Sequence, residues 1–152
     1  MNKKLLIVYH SQSGATRQLA DAVAEGARQE ADVEVRLLLA MAASVDDLLW
    51  SDGVVFGSPE NLGYLSGGLK DFFDRTFYPA QPYQLNLPYA VFISAGNDGS
   101  GAVRQLQCIV KGYPLKPVAE PVVIKGEVTA AGLSECNELG QAISAGLSLG
   151  IF

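Results

Sequence analysis

Among 152 residues there are two cysteines and one histidine, so the side chains that most often carry nucleophilic or metal chemistry are nearly missing. Cys108 and Cys136 lie far apart with no CxxC spacing and no clustered ligands, and His10 stands alone. That scarcity removes Cys–His and Ser–His–Asp constellations and metal sites built from Cys, His and carboxylates. The two thiols read as ordinary core or surface residues. No catalytic side chain and no metal is expected, and any chemistry must come from a bound cofactor. Positive charge is also short. Eleven Lys and Arg stand against sixteen Asp and Glu, a net charge of -5, with no basic stripe to neutralise a phosphate backbone, so nucleic acid is not an expected partner.

Long apolar runs are missing too. Met1-Asn2-Lys3-Lys4 resembles the charged start of an export signal, but the apolar run Leu5 to Val8 stops at Tyr9-His10, too short for its hydrophobic core. No segment reaches the length of a membrane span. A cytoplasmic location without a membrane partner is the expectation. Long polar tracts are absent as well: 49% of residues are apolar and 18% charged, which excludes a disordered chain. A chain of this length buries about 68–70% of its unfolded surface, enough for one core, and residues 1–152 read as a single domain.

What is present alternates. Lys4 to Tyr9 is a short continuous apolar run, as in a strand buried on both faces of a parallel sheet. Ala15 to Glu30 carries Leu19, Ala22, Val23, Gly26 and Ala27 at helical spacing. Val33 to Leu39 reads as the second strand, Val45 to Trp50 as a short helix, and Gly53 to Gly57 as the third strand. Gly67 to Phe77 is again helical and leads into a Pro-rich aromatic loop, Tyr78 to Pro88. Tyr89 to Ser94 is the fourth strand, Ala102 to Lys111 a helix, and Pro117 to Ile124 a fifth strand. Pro121 interrupts this last strand and predicts a position at the sheet edge, since proline cannot donate to a central ladder. Leu133 to Leu149 closes the chain as a helix. The pattern predicts an α/β fold, a doubly wound five-stranded parallel sheet of order 2-1-3-4-5 with helices on both faces. Ligands bind such sheets beyond the carboxyl ends of the strands, so the loops after Tyr9, Gly57 and Ser94 are the ones that matter.

The first of these, His10-Ser11-Gln12-Ser13-Gly14-Ala15-Thr16, leads three hydroxyls and a glycine directly into a helix N-terminus. Unsatisfied N–H groups and the positive end of the helix dipole face one point, an anion nest to which Ser11, Ser13 and Thr16 can add hydrogen bonds. The same residues serve equally to cap a helix. There is no GKS or GKT ending for a nucleoside triphosphate, and no three-glycine dinucleotide fingerprint.

Ser-x-Ser-Gly-x-Thr after a first strand resembles the FMN phosphate loop of the flavodoxin-like superfamily. The second loop sharpens the likeness. Gly57-Ser58-Pro59-Glu60-Asn61-Leu62-Gly63-Tyr64-Leu65-Ser66-Gly67, followed by Lys70, Phe72 and Asp74-Arg75-Thr76, is similar to the pattern of WrbA-type NAD(P)H:quinone oxidoreductases. The resemblance implies that Ser11, Gln12, Ser13, Gly14, Ala15 and Thr16 hold the FMN phosphate. It implies that Pro59, Glu60, Asn61, Leu62 and Gly63 hold one edge of the isoalloxazine ring. The third loop, beginning Ser94, Ala95, Gly96 and Asn97, would reach the ring's far side. It lacks the aromatic residue that stacks on the ring in many flavodoxins, and it is not the glycine run of WrbA-type enzymes. Stacking would then fall to Tyr64, Tyr78 or Tyr83, or to the second subunit of a homodimer.

The resemblance implies an oxidoreductase in which NAD(P)H passes a hydride to FMN and a quinone or similar small acceptor receives the electrons. Two alternatives stay open. One is a flavodoxin, a one-electron carrier that docks on a redox partner protein; the other is a non-catalytic FMN-binding module.

Overall fold

The computed structural model describes residues 2–152; Met1, first residue of the charged N-terminal stretch, lies outside them. The apolar run becomes strand β1 (Lys3–Tyr9), with Leu5 to Val8 fully buried. It runs parallel between β2 (Val33–Leu39) and β3 (Gly53–Asn61). Strand β5 (Pro88–Ala95) continues the parallel sheet beyond β3, pairing Phe56 with Val91. On the far side of β5 lie β6 (Lys116–Pro117) and β7 (Val122–Lys125), both parallel to it. A two-residue strand, β4 (Tyr64–Leu65), folds back on β3 as a hairpin.

The main sheet therefore has the expected order, with two corrections to its five strands. The fifth strand sits at the edge but is broken into β6 and β7: the Val118 N–H still donates to the Tyr89 carbonyl at 3.1 Å, and the stretch from Ala119 to Pro121 leaves the ladder. The second loop is partly strand: β3 runs on through Pro59 to Asn61, and with β4 the total becomes seven. Pro59 and Gly63 stand within and at the turn of that hairpin.

Successive residues of each strand point to opposite faces. Leu5, Ile7, Val55 and Phe92 bury against α1 (Ala15–Ala27) and α5 (Ala130–Ser148). Leu6, Val8, Phe56, Val91 and Ile93 bury against α2 (Val45–Trp50), α3 (Gly67–Ala80) and α4 (Ser100–Lys111). The result is three layers. Two glycines set the spacing of α1 and α5: a Cβ on Gly26 would lie 2.0 Å from the Asn137 carbonyl oxygen, and one on Gly140 would lie 2.0 Å from that of Val23.

Several boundaries shift for local reasons. The first helix ends at Ala27 rather than Glu30, and the following turn closes with Gln29 N–H on the Gly26 carbonyl. The third helix runs to Ala80, so part of the aromatic loop is helical, with Pro79 tolerated in its last turn. The last helix starts at Ala130, where Thr129 caps it by accepting from the Gly132 N–H at 3.2 Å. No helix among the described residues is long and apolar enough to cross a membrane.

Candidate functional site

The parallel strands bring three loops to one end of the sheet. The chain leaves β1 with the His10 N–H donating to the Gly57 carbonyl at 3.1 Å, and enters α1 through Gly14, whose φ of 102° only glycine adopts without cost. The second element is the β3–β4 hairpin, turned by Leu62 (φ 53°) and Gly63 (φ 74°). The third runs from Ser94 to Gly99 into α4. A Cβ on Gly101 would sit 2.1 Å from the Gly63 carbonyl oxygen, so the start of α4 rests directly on the hairpin turn.

Side chains tie these elements together in pairs. Gln12 Oε1 accepts from Asn61 Nδ2 at 2.7 Å, linking the first loop to the hairpin. The Thr16 and Ser94 hydroxyls share a buried hydrogen bond of 2.7 Å, linking the first loop to the third. The Glu60 carboxylate links the hairpin to the third loop. It accepts the N–H groups of Gly99 (2.9 Å), Gly101 (3.1 Å) and Ala102 (3.2 Å), filling the N-terminus of α4 with an internal negative charge.

Between the ties lies a pocket of about 250 Å³, lined by Ser13, Ala15, Pro59, Glu60, Asn61, Ser94, Ala95, Gly96 and Gly126. Eight of these nine residues come from the three loops read from the sequence. The ninth, Gly126, was missed. It follows β7 with a φ of 75°, and its N–H donates to the Ala95 carbonyl at 2.9 Å. Its signal in the sequence is a glycine two residues beyond the apolar run Val122 to Ile124, but that strand lies at the sheet edge, away from the switch point of strand order where ligand loops are expected.

The other expected residues take different positions. Thr16 is 1% exposed, and its hydroxyl is engaged with Ser94 rather than turned into the pocket. The Ser11 Oγ accepts from the N–H groups of Gly14 (3.2 Å) and Arg17 (3.3 Å), so it sits in the nest itself. Gln12 and Asn97 are exposed, Gly14 and Gly63 supply backbone turns, and Leu62 projects fully into solvent. Tyr64 packs half-buried against the core beneath the hairpin. Tyr78 lies in the last turns of α3 and Tyr83 just after it, at the sheet end where β5 begins, and neither lines the pocket. His10 does not line it either: its ring lies against Gly68, with Nδ1 buried and without a partner.

The nest at the start of α1 keeps donors free. The N-cap residue, Gly14, has no side chain to offer; Ser11 takes the N–H groups of Gly14 and Arg17, and no N–H of Ser13, Ala15 or Thr16 donates to any group of the described residues. Next to them Ser13 opens onto the pocket. An anionic group at this point would receive several convergent N–H donors and the helix dipole. The pocket beyond has backbone from three strands' ends and one side-chain amide, Asn61, which suits the edge of a planar heterocycle. A phosphorylated flavin therefore fits the donors present. Among the described residues, no three His, Cys, Asp or Glu side chains gather as a metal site would require.

Residues 38–129 match the family model described as NADPH-dependent FMN reductase. A flavodoxin of Aquifex aeolicus is 45% identical over 71 residues, covering 47% of this chain and 38% of that protein. An NAD(P)H dehydrogenase (quinone) of Acidithiobacillus ferrooxidans is 33% identical over 93 residues, covering 48% and 46%. The chain thus spans less than half the length of both relatives. Among solved structures, a flavodoxin, WrbA-like protein from Agrobacterium tumefaciens superposes with a TM-score of 0.80 at 19% identity, covering 97% of this chain and 99% of that one. That likeness shows the fold: a flavodoxin-like sheet.

Proposed function

This chain belongs to the NADPH-dependent FMN reductase family, and from that premise we propose that it holds FMN in the three-loop pocket and works as an NAD(P)H-dependent oxidoreductase. The observation that carries this reading is the nest of free N–H donors at α1, opening onto a pocket whose one carboxylate, Glu60, is engaged with the N-terminus of α4. FMN supplies the redox chemistry, acceptance of a hydride from NAD(P)H and delivery of electrons to a quinone or similar small acceptor.

The chain's own part is binding and positioning. The N–H groups of Ser13, Ala15 and Thr16 hold the phosphate, with the Ser11 and Ser13 hydroxyls as further donors, since Ser11 only accepts in its internal bonds. Asn61 offers its amide to the ring edge, and the backbone of Ser94, Ala95 and Gly96 lines the opposite wall. Gln12, Thr16 and Glu60 keep the three elements at a fixed separation, so the pocket is largely preformed. The absorption spectrum of the purified protein and its anaerobic bleaching by NADPH test the reading together. Flavin absorbance that NADPH bleaches and benzoquinone restores supports it. A protein that neither retains nor takes up FMN contradicts it.

A second reading, a flavodoxin-type carrier, is favoured by one feature: Leu62, an apolar tip exposed to solvent beside the pocket, suits contact with a redox partner protein. FMN binding without direct reduction by NADH or NADPH would select that reading.

A further inference from the structure

A groove runs from the third loop along the outer edge of the sheet, between α4 and β7, with a volume of about 620 Å³. Its floor is apolar and half-buried, made by Val103, Pro121 and Val123. Its walls carry Arg104 and Lys125, neither of which has an ion-pair partner among the described residues. Arg104, Gln107 and Lys111 recur at helical spacing on one face of α4, so the cationic stripe continues into a smaller adjoining hollow of about 220 Å³ that shares Arg104 and Gln107. In a chain of net charge -5 this is a local reversal of sign. The one carboxylate in the groove, Asp98, is turned to Ser100, whose N–H and hydroxyl it accepts at 3.3 and 2.9 Å. Those two bonds, with weaker help from Lys125 and Arg104, hold its carboxyl below the usual range.

The groove begins where the pocket ends: Lys125 lines one and Gly126 the other, and the third loop separates them from Gly96 to Asp98. A Cβ on Gly99 would meet Val123 at 2.5 Å, so this loop packs against the groove's floor. We propose that the α4–β7 groove binds the phosphorylated adenosine end of the nicotinamide donor, with Arg104 and Lys125 on its phosphates and the adenine on Val103, Pro121 and Val123. The assignment rests on the reductase reading for the identity of the donor. Two observations favour this groove over other surfaces. The N-terminus of α4, otherwise the nearest anion site, is already occupied by Glu60. The comparably large groove between α1 and α5 carries Asp21, Glu25 and Glu138 with no lysine or arginine, the wrong sign for a phosphate.

Calorimetric titration of the purified protein with adenosine 2′,5′-bisphosphate tests the groove without requiring turnover. Wild type should bind it, and Arg104→Gln and Lys125→Gln should each weaken binding by about tenfold, the loss expected of one charged hydrogen bond, with Tm and FMN affinity unchanged. In turnover both variants should raise KM for NADPH and leave kcat alone. N-methyl-dihydronicotinamide, which has no phosphate or adenosine, should reduce wild type and variants equally. Absence of bisphosphate binding, or equal binding by wild type and both variants, overturns the proposal. So does a change of sedimentation in the variants at constant bisphosphate affinity, which would make the groove a contact between copies. If the bisphosphate binds through Arg104 and Lys125 but NADPH never bleaches the flavin, the reductase reading fails while the phosphate site stands.

Discussion

Single side chains at this site act mostly on one another. Glu60 illustrates how far that was legible: its place in the G-S-P-x-x-x-G pattern marked it as a residue of the site, but its partners lie 39 to 42 residues away on the backbone of another loop. Spacing within a motif says nothing about such a contact. Glu60→Gln keeps the shape and puts an NH2 group against N–H donors, so a charge-assisted bond worth about 1.5–3 kcal/mol should be lost. Urea unfolding should show that loss together with weaker FMN binding. Unchanged stability would mean that the carboxylate is not holding α4. Thr16→Val should likewise loosen the first loop from the third by leaving the buried Ser94 hydroxyl without its partner, a cost of about 1–3 kcal/mol read by the same method. Tyr113 lies outside the site and gives a pH signature. Its hydroxyl donates to the Phe73 carbonyl at 2.8 Å and contacts the Thr76 hydroxyl at 2.9 Å, and burial pushes its pKa up to about 12. The unfolded value is about 10, so the native fold favours the neutral phenol. Its contribution is complete below pH 10 and is lost as pH rises from about 10 through 12, a fall of roughly 2–3 kcal/mol. Tyr113→Phe should flatten that alkaline limb in unfolding measured against pH; an identical limb would assign it to other groups.

Elements were legible wherever local pattern and tertiary role agree. Val33–Leu39 and Val45–Trp50 match their expected limits, because an apolar run and a helical stripe end there at the same residues that leave the sheet or the core. The β3–β4 hairpin was not legible. Its turn is Leu62-Gly63, with a leucine where Asn is the usual partner of glycine, so Gly63 announced a turn but not a hairpin. The break between β6 and β7 was half legible: Pro121 marked an edge, but the bulge from Ala119 to Pro121 depends on how β6 and β7 register against β5. The α1–α5 contact is a property of two elements together, visible only once they are packed. A valine at position 140 would press its Cβ and methyl groups onto the Val23 carbonyl and the Ala27 amide, which are backbone and cannot swing aside. Gly140→Val should destabilise by about 1–3 kcal/mol or more and lower Tm by several degrees. An unchanged Tm would show that α5 stands farther from α1 than described.

At the scale of the molecule, the order of strands decides where function sits. The four core neighbours run parallel, so all their carboxyl ends face one side, and the loops that leave them meet without any one loop being long. That convergence could be inferred from the alternation of strands and helices, and it brought eight of nine lining residues into view. The division of labour within the loops could not, because it depends on which side chains face the pocket and which face each other. The central claim is that the free N–H donors before α1 hold a phosphate and that this anchors the flavin. Riboflavin has the same ring and no phosphate. Fluorescence titration of flavin-free protein with FMN and with riboflavin therefore measures the anchor alone. Even two of these donors, at about 1.5–3 kcal/mol per charge-assisted bond, predict that FMN binds tighter by at least roughly 10²–10⁴-fold, and equal affinity for the two flavins would contradict the account.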